Sequence, residues 1–432
     1  MQQFGIGLAG LGTVGAGVFK HLTNSRALLR ERLGHELIVR KVVVRDMGKA
    51  RPVEVPRELL TTDARELLDD PSIQIIVELM GAKEESLRLI LGALERKKIV
   101  VTGNKALLAE HGKEIFEAAF AHRVPVFFEA AVAGGIPIIK AIREGFVASH
   151  IQSIHGIING TSNYILTRMT DSGLGFAAAL EEAQAAGYAE ADPALDVNGG
   201  DAAHKAIVLA SLAYGFWVPM DRVFVEGIEE LTAGDICFAQ RLGYTIKLLA
   251  HLKADAHGEI EVRVHPTLIP KTHVLASVNG VFNAIAVKGD IVGETLFYGR
   301  GAGQDATASA VLADIAEAAD ALLSPRRNLG FMPHGLYGTC KPIEEIVSEF
   351  YLRLSVEDRP GVIAQIASIL GEGNIGISSI LQPESEDEGA NVPLVLMIHR
   401  ASNGQMQQAL ARIEALDCVQ TPARLIRVEH FS

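Results

Sequence analysis

The chain has little cysteine, no long apolar run and no excess of basic residues, and each shortage excludes a class of protein. Its three cysteines, Cys237, Cys340 and Cys418, are too few and too scattered for a disulfide framework. None belongs to a CxxC pair that could open a zinc site, so a reducing compartment is the simplest reading. The longest uncharged stretches, such as 206–220, fall short of the ~18 residues of a membrane span and contain Gly or Pro. The first residues, Met1-Gln2-Gln3-Phe4-Gly5, lack a basic segment leading into an apolar one, so no signal peptide is expected. Lys and Arg number 40 against 52 Asp and Glu, a formal charge of −12, which argues against a nucleic-acid partner. With 48% hydrophobic and 21% charged residues the chain can bury real cores, which excludes disorder. The expectation is a cytoplasmic protein with no membrane partner. At roughly 150 residues per domain, its 432 residues suggest about three domains.

What is present falls into three blocks. From residue 4 to 128, candidate strands at 4–9, 37–44, 73–79, 98–102 and 124–128 alternate with helical patterns near 14–32, 84–96 and 105–121, the signature of βαβ units and a parallel sheet. The block from 136 to about 320 is mixed, with helices near 176–187, 201–213 and 306–322 and strands near 151–158, 260–264 and 282–287. Pro and Gly between 323 and 342 mark a connecting segment. The last block reads strand 350–356, helix 361–371, strands 377–382 and 393–399, helix 405–414 and strand 423–428. That βαββαβ order is ferredoxin-like. The acidic run Glu384, Glu386, Asp387 and Glu388 falls at a hairpin tip and reads as a solvated loop.

The first motif that carries chemistry is Gly10-Leu11-Gly12-Thr13-Val14-Gly15, a G-x-G-x-x-G between a buried strand and a long helix. Gly10 permits the tight turn, Gly12 leaves room for a pyrophosphate, and Gly15 lets helix approach strand. The helix N-terminus then offers free N–H groups to phosphate. The following strand ends Val43-Val44-Arg45-Asp46. An acid there would bind ribose hydroxyls and Arg45 a 2′-phosphate, so both NAD and NADP stay open, with NADP slightly ahead. Lys105 opens a helix after the fourth strand, on the side of an open parallel sheet where ligands sit. After the fifth strand, the 128–136 segment includes Glu129, Val132, Gly134 and Ile136. Its paired glycines could turn carbonyls toward a small hard cation, although a plain loop is the simpler reading of those residues alone.

The densest constellation runs from Gly187 to Lys205 and holds Glu190, Asp192, Asp196, Asp201 and Lys205 on a loop entering a helix. Asp201 and Lys205 are four apart, on one helix face. An exposed ion pair of that spacing contributes well under ~1 kcal/mol. Lys205, however, shares its stripe with Val208, Leu209 and Leu212, which turns that face inward. An inward lysine beside carboxylates can give up a proton, and the acids can hold a substrate ammonium. Two flanking segments also lead into helices: Asn159-Gly160-Thr161-Ser162-Asn163-Tyr164, whose amides could receive a carboxylate, and Gly299-Arg300-Gly301-Ala302-Gly303-Gln304.

These residues, in this order, resemble homoserine dehydrogenase. The likeness rests on Gly10–Gly15, Thr102 to Ala109, Asn159 to Leu166, Gly187 to Lys205 and Gly301-Ala302-Gly303, and it covers about residues 4–340. Residues 349–428, with Asp358-Arg359-Pro360-Gly361-Val362-Ile363, resemble an ACT domain. The fold implied is α/β: a Rossmann dinucleotide-binding domain over 1–135 to which 306–340 returns, an α+β substrate and dimerisation domain over 136–305, and a ferredoxin-like ACT domain. The family implies NAD- or NADP-dependent interconversion of L-aspartate 4-semialdehyde and L-homoserine, in threonine and methionine biosynthesis. By that resemblance Lys205 is the proton donor, assisted by Lys105. Gly10, Gly12, Thr13, Val14, Gly15, Arg45, Lys105 and Gly303 contact the nucleotide, and Thr161, Glu190, Asp196 and Asp201 the substrate. Carbonyls of Glu129, Val132, Gly134 and Ile136 hold a monovalent cation, usually sodium. The resemblance further implies a homo-oligomer, dimer or tetramer, and feedback by an amino acid, threonine foremost, at the ACT domain. The chain departs from the family at Ala82 (usually Gly), Gly103 (usually Ala) and Ala306 (usually Pro). A cofactor- and amino-acid-binding regulator without catalysis is the competing class; the joint presence of Lys205, Asp201 and Glu190 argues for the enzyme.

Overall fold

A computed structural model describes residues 2–324, 330–383, 391–420 and 422–431. The first unit contains β1 (Gln3–Ala9), α1 (Thr13–Asn24), α2 (Arg26–Leu33), β2 (Glu36–Val43), β3 (Leu60–Thr61), α3 (Arg65–Asp69), β4 (Ile75–Glu78), α4 (Lys83–Glu95), β5 (Ile99–Thr102), α5 (Lys105–His122) and β6 (Val126–Phe127). Its strands form one parallel sheet in the order β3-β2-β1-β4-β5-β6. Ile6, Leu8, Ile75, Ile76, Val77, Val100 and Val101 are fully buried, as a sheet covered on both faces requires. The strand order reverses between β1 and β4, and Gly10 sits at that crevice, where open α/β sheets bind nucleotides. The long helix expected over 14–32 is two helices. They part at Ser25, whose neighbour Asn24 is also a residue that competes for backbone hydrogen bonds and favours caps.

The second unit contains α6 (Ile138–Lys140), β7 (Ile151–Ile157), α7 (Gly160–Ser172), α8 (Phe176–Ala185), α9 (Ala194–Val197), α10 (Gly200–Tyr214), β8 (Phe224–Val225), α11 (Ala233–Arg241), β9 (Tyr244–Ala254), β10 (Glu259–Pro270), β11 (Phe282–Gly289), β12 (Gly293–Arg300) and α12 (Gln304–Leu323). The long hairpin β9–β10 was only glimpsed in the sequence, as 260–264. Eight consecutive residues of β9 are buried, so the strand offers no alternation to read. One face of the sheet carries α7 and α10; the other carries a separate cluster around Leu249, Ile157, Ile269 and Ala286. Helix α12 leaves this unit and lies against α1, β4 and β5 of the first.

The third unit contains β13 (Thr339–Cys340), β14 (Val347–Glu357), α13 (Val362–Glu372), β15 (Ile377–Leu381), β16 (Asn391–Ser402), α14 (Asn403–Glu414) and β17 (Arg424–Val428). From β14 to β17 the βαββαβ order is the one expected, while β13 pairs with β10. The acidic run at 384–388 and the segment 325–329 lie outside the described residues. Strand β17 pairs with β14 on one side and with β10 on the other, Thr267 opposite Arg427. The second and third units therefore share one sheet, β12-β11-β7-β9-β10-β17-β14-β16-β15. Among the described residues no helix is long and apolar enough to cross a membrane, and Cys237, Cys340 and Cys418 are unpaired.

Candidate active site

The dinucleotide loop is built by close packing. Gly10 has φ +100, and a Cβ there would lie 2.5 Å from the Leu79 carbonyl oxygen. A Cβ at Gly15 would lie 2.1 Å from the Gly10 oxygen, so neither position accepts a side chain. A Cβ on Gly12 would meet nothing within 4 Å, and Gly12 and Thr13 are exposed. Helix α1 starts there with no side-chain cap, leaving its first N–H groups for a ligand. A crowded turn, an open middle glycine and free amides together fit a pyrophosphate. Arg45 and Asp46 are exposed just beyond the end of β2, and Asp46 uses a carboxylate oxygen to accept the Gly48 N–H at 2.8 Å. Gly303, with φ +118, precedes α12.

Below this loop the two first units meet at one carboxylate. Lys105 opens α5 and Lys205 lies on α10. Asp201, one turn before Lys205, reaches both: Oδ1 is 3.3 Å from Lys105 Nζ and Oδ2 is 2.6 Å from Lys205 Nζ. Lys205 donates a second hydrogen bond to the Ile158 carbonyl at 2.8 Å, which fixes its ammonium between two acceptors. Asn159 completes the junction. Its amide nitrogen donates to Asp201 at 2.9 Å and Asp196 at 2.7 Å, while its carbonyl caps α7 at Ser162. Burial alone would raise the Asp201 carboxyl. Lys205 and then Lys105 outweigh it, with hydrogen bonds from Lys205 and Asn159, and hold the group far below the usual carboxylate range. Asp201 is thus favoured as the carboxylate, and it holds the two lysines together.

The rest of the acidic loop curls over the same spot. Thr161 Oγ1 donates to the Tyr188 carbonyl at 2.7 Å, and Ser162 Oγ to that of Asp196 at 2.7 Å, tying the loop to the start of α7. Asp196 is half-buried, whereas Glu190 is exposed and its carbonyl accepts from Gln184. The structure thus brings Lys105, Asp201, Lys205, Asn159 and Asp196 into direct contact, and leaves Glu190 on the rim.

The 129–136 segment packs on the glycine turn before α12: Gly135 N–H donates to the Arg300 carbonyl at 3.0 Å, and a Cβ on Gly134 would lie 2.5 Å from the Gly301 oxygen. The Glu129 side chain is committed to structure, accepting from the Ile139 and Lys140 amides at 2.9 and 2.8 Å. The carbonyls of Glu129 and Ile136 each accept a backbone bond within the loop, from Val132 and Ile138, which leaves each oxygen a second lone pair for a cation.

One polar residue near the cofactor crevice escaped the sequence reading. Glu78 ends β4 and is fully buried. It accepts from Met80 N at 2.7 Å, Ser86 Oγ at 2.7 Å and Thr102 Oγ1 at 2.8 Å, and so fastens the ends of β4 and β5 to α4. Its signal was an acid closing an otherwise apolar strand.

Comparison with known proteins agrees along the whole length. Three family profiles match: the homoserine dehydrogenase NAD binding domain over residues 10–129, homoserine dehydrogenase over 137–316 and the ACT domain over 350–418. A homoserine dehydrogenase of Pseudomonas aeruginosa is 45% identical over 443 aligned positions, covering 100% of each chain. One of Bacillus subtilis is 38% identical, covering 99% of each. Among solved structures, a homoserine dehydrogenase from Thiobacillus denitrificans matches with TM-score 0.92 and 43% identity, over 100% of this chain and 99% of that one. A hyperthermophilic archaeal homoserine dehydrogenase in complex with NADPH matches with TM-score 0.63 and 28% identity, over 76% of this chain and 100% of that one.

Proposed function

Because this chain belongs to the homoserine dehydrogenase family and ends in an ACT domain, we propose that its reaction centre is the Lys105–Asp201–Lys205 bridge. The family consists of nicotinamide-dependent oxidoreductases acting on CH–OH, which interconvert L-homoserine and L-aspartate 4-semialdehyde. The nicotinamide, when bound, supplies the hydride that reduces the aldehyde carbon. Lys205 Nζ gives the aldehyde oxygen its proton as that carbon is reduced, and takes the proton back in the oxidising direction. Asp201 keeps Lys205 aimed by holding its ammonium against the Ile158 carbonyl. Lys105, on the same carboxylate, adds a positive charge where the oxygen becomes negative.

Asp196 and Glu190, with Asp201 behind them, hold the substrate ammonium. Thr161 and the open amides of α7 receive its carboxylate. Gly10, Gly12, Thr13, Val14 and Gly15 cradle the pyrophosphate, Gly303 closes on the nucleotide from the α12 side, and Arg45 pairs with a 2′-phosphate, which favours NADP over NAD. A monovalent cation of the sodium class sits on the carbonyls of Glu129, Val132, Gly134 and Ile136 and stiffens the link between the β6 end and the turn before α12. The ACT domain takes an amino-acid effector, threonine foremost, and the enzyme works as a homo-oligomer in the cytoplasm.

The single observation behind the catalytic reading is that one carboxylate, through both its oxygens, joins a lysine of the nucleotide unit to a lysine of the other. The experiment is an absorbance assay at the nicotinamide band with aspartate semialdehyde. Turnover with NADPH exceeding that with NADH is expected; no turnover with either cofactor overturns the proposal.

A further inference from the structure

On the face of the second sheet away from α7 and α10, a histidine of β7 stands directly opposite one of β9: His155 pairs with His251 in the strand register. Both are buried. Their Nδ1 atoms point at each other, 3.0 Å apart. The chain beyond β17 brings a third group: Glu429 Oε2 lies 3.8 Å from His251 Nδ1, and the three ligand atoms all fall within 4.8 Å of one another.

We propose that His155 Nδ1, His251 Nδ1 and the Glu429 carboxylate form a binding site for a borderline transition-metal ion of the zinc class, which fastens the C-terminal tail to the catalytic sheet. Zn–N and Zn–O bonds of ~2.0–2.2 Å set the edges of a tetrahedral site at about 3.4 Å, and the observed 3.0 and 3.8 Å bracket that value. Two imidazole nitrogens and a carboxylate are a ligand set suited to that ion. The supporting contacts fit as well. His251 Nε2 lies 2.8 Å from Thr267 Oγ1; as the proton donor in that bond it presents the Nδ1 lone pair inward. Phe431 lies edge-on to the His155 ring and shields it. A polar cleft lined by Gln152, Ser153, Lys288 and Glu294 reaches His155 and Glu429, leaving room for water as the fourth ligand. Without metal, Lys253 neutralises Glu429 at 2.5 Å. That lysine is partly exposed and can swing out, so it competes with the ion and does not belong to the site.

The site lies on the opposite sheet face from Lys205, so its role is structural and its test does not depend on turnover. Chelator-stripped full-length protein is titrated with zinc chloride by calorimetry, and with cobalt chloride by visible absorbance. One ion per chain is expected, with a Kd of about 10 µM or tighter, a tetrahedral cobalt spectrum, and a melting temperature that rises with zinc concentration. His155→Gln and Glu429→Gln should each weaken binding at least ~10-fold; Lys253→Met should tighten it. Glu429→Gln lies on the tail and keeps the fold if a histidine variant does not. No saturable uptake overturns the proposal, as does undiminished uptake by Glu429→Gln, which places the ion elsewhere.

Discussion

At the residue scale, the proposed chemistry rests on which atoms Asp201 holds. The sequence displayed the ingredients, because ionisable side chains crowded between Glu190 and Lys205 stand out against an apolar helix. It could not display the Ile158 carbonyl, since a main-chain acceptor carries no residue signature, nor that Asn159 would span Asp196 and Asp201. Replacing Asp201 by Asn should lower kcat ~10- to 100-fold, because the ammoniums lose the anion that aims them. It should also cost on the order of 3 kcal/mol of stability by leaving a half-buried lysine without its counter-charge. The sign with pH follows from the lowered carboxyl. Its contribution is complete above the ordinary carboxylate value near pH 4 and fades on acidification through the lower folded-state value. Urea unfolding of the two proteins should therefore show a gap that is constant from about pH 5 to 7 and narrows below about pH 4; a gap that widens on acidification contradicts the assignment. Arg45 carries a separate claim. Arg45→Ala should raise the Kd for NADPH about 10-fold and leave NADH nearly unchanged, as fluorescence titration of the two cofactors would register. Equal losses for both remove the 2′-phosphate role.

At the element scale, the legible elements were those with clear punctuation or a one-sided apolar face: β1, buried throughout but stopped by its glycines, α5 capped by Asn104, and the strands and helices of the last unit. The illegible ones were buried on both sides, like β9, or very short, like β3. The site suffered in the same way, since β7 was read as a strand but the Ile158 carbonyl just past its end was not read as an acceptor for Lys205. Helix α11 illustrates a join that no local pattern contains. Asp235 is fully buried and closes a capping box with Thr232; it also accepts from Arg353 at 2.6 Å and Tyr351 at 3.1 Å, both on β14. Arg353→Met leaves that carboxylate without its cation, so a loss of about 3 kcal/mol is expected in chemical unfolding. A change below ~0.5 kcal/mol, the size of an ordinary surface substitution, shows that the pair does not hold the two units together.

At the scale of the whole molecule, the sequence supplied three units but not their union in one sheet. Strand β17 closes the ACT domain and at the same time lies beside β10 of the catalytic sheet. Arg424 and Arg427 of β17 both pair with Glu226. Removing residues 345–432 would strip that neighbour from β10, so regulation is better probed by a point change within the intact chain. L-threonine should inhibit the full-length enzyme. Arg427→Met, which removes one of the two arginines that hold β17 to Glu226, should shift the inhibition curve at least ~5-fold while uninhibited turnover stays within about twofold, a coupling of ordinary size. An inhibition curve unmoved by the substitution shows that effector signals do not pass through this seam.

The most direct test of the account is the turnover of Lys205→Ala, measured beside its affinity for NADPH. A proton donor held by Asp201 and remote from the phosphate loop predicts kcat at least ~10²-fold below the parent enzyme with cofactor binding nearly intact. Turnover close to that of the parent would remove Lys205 from the chemistry, and with it the central claim.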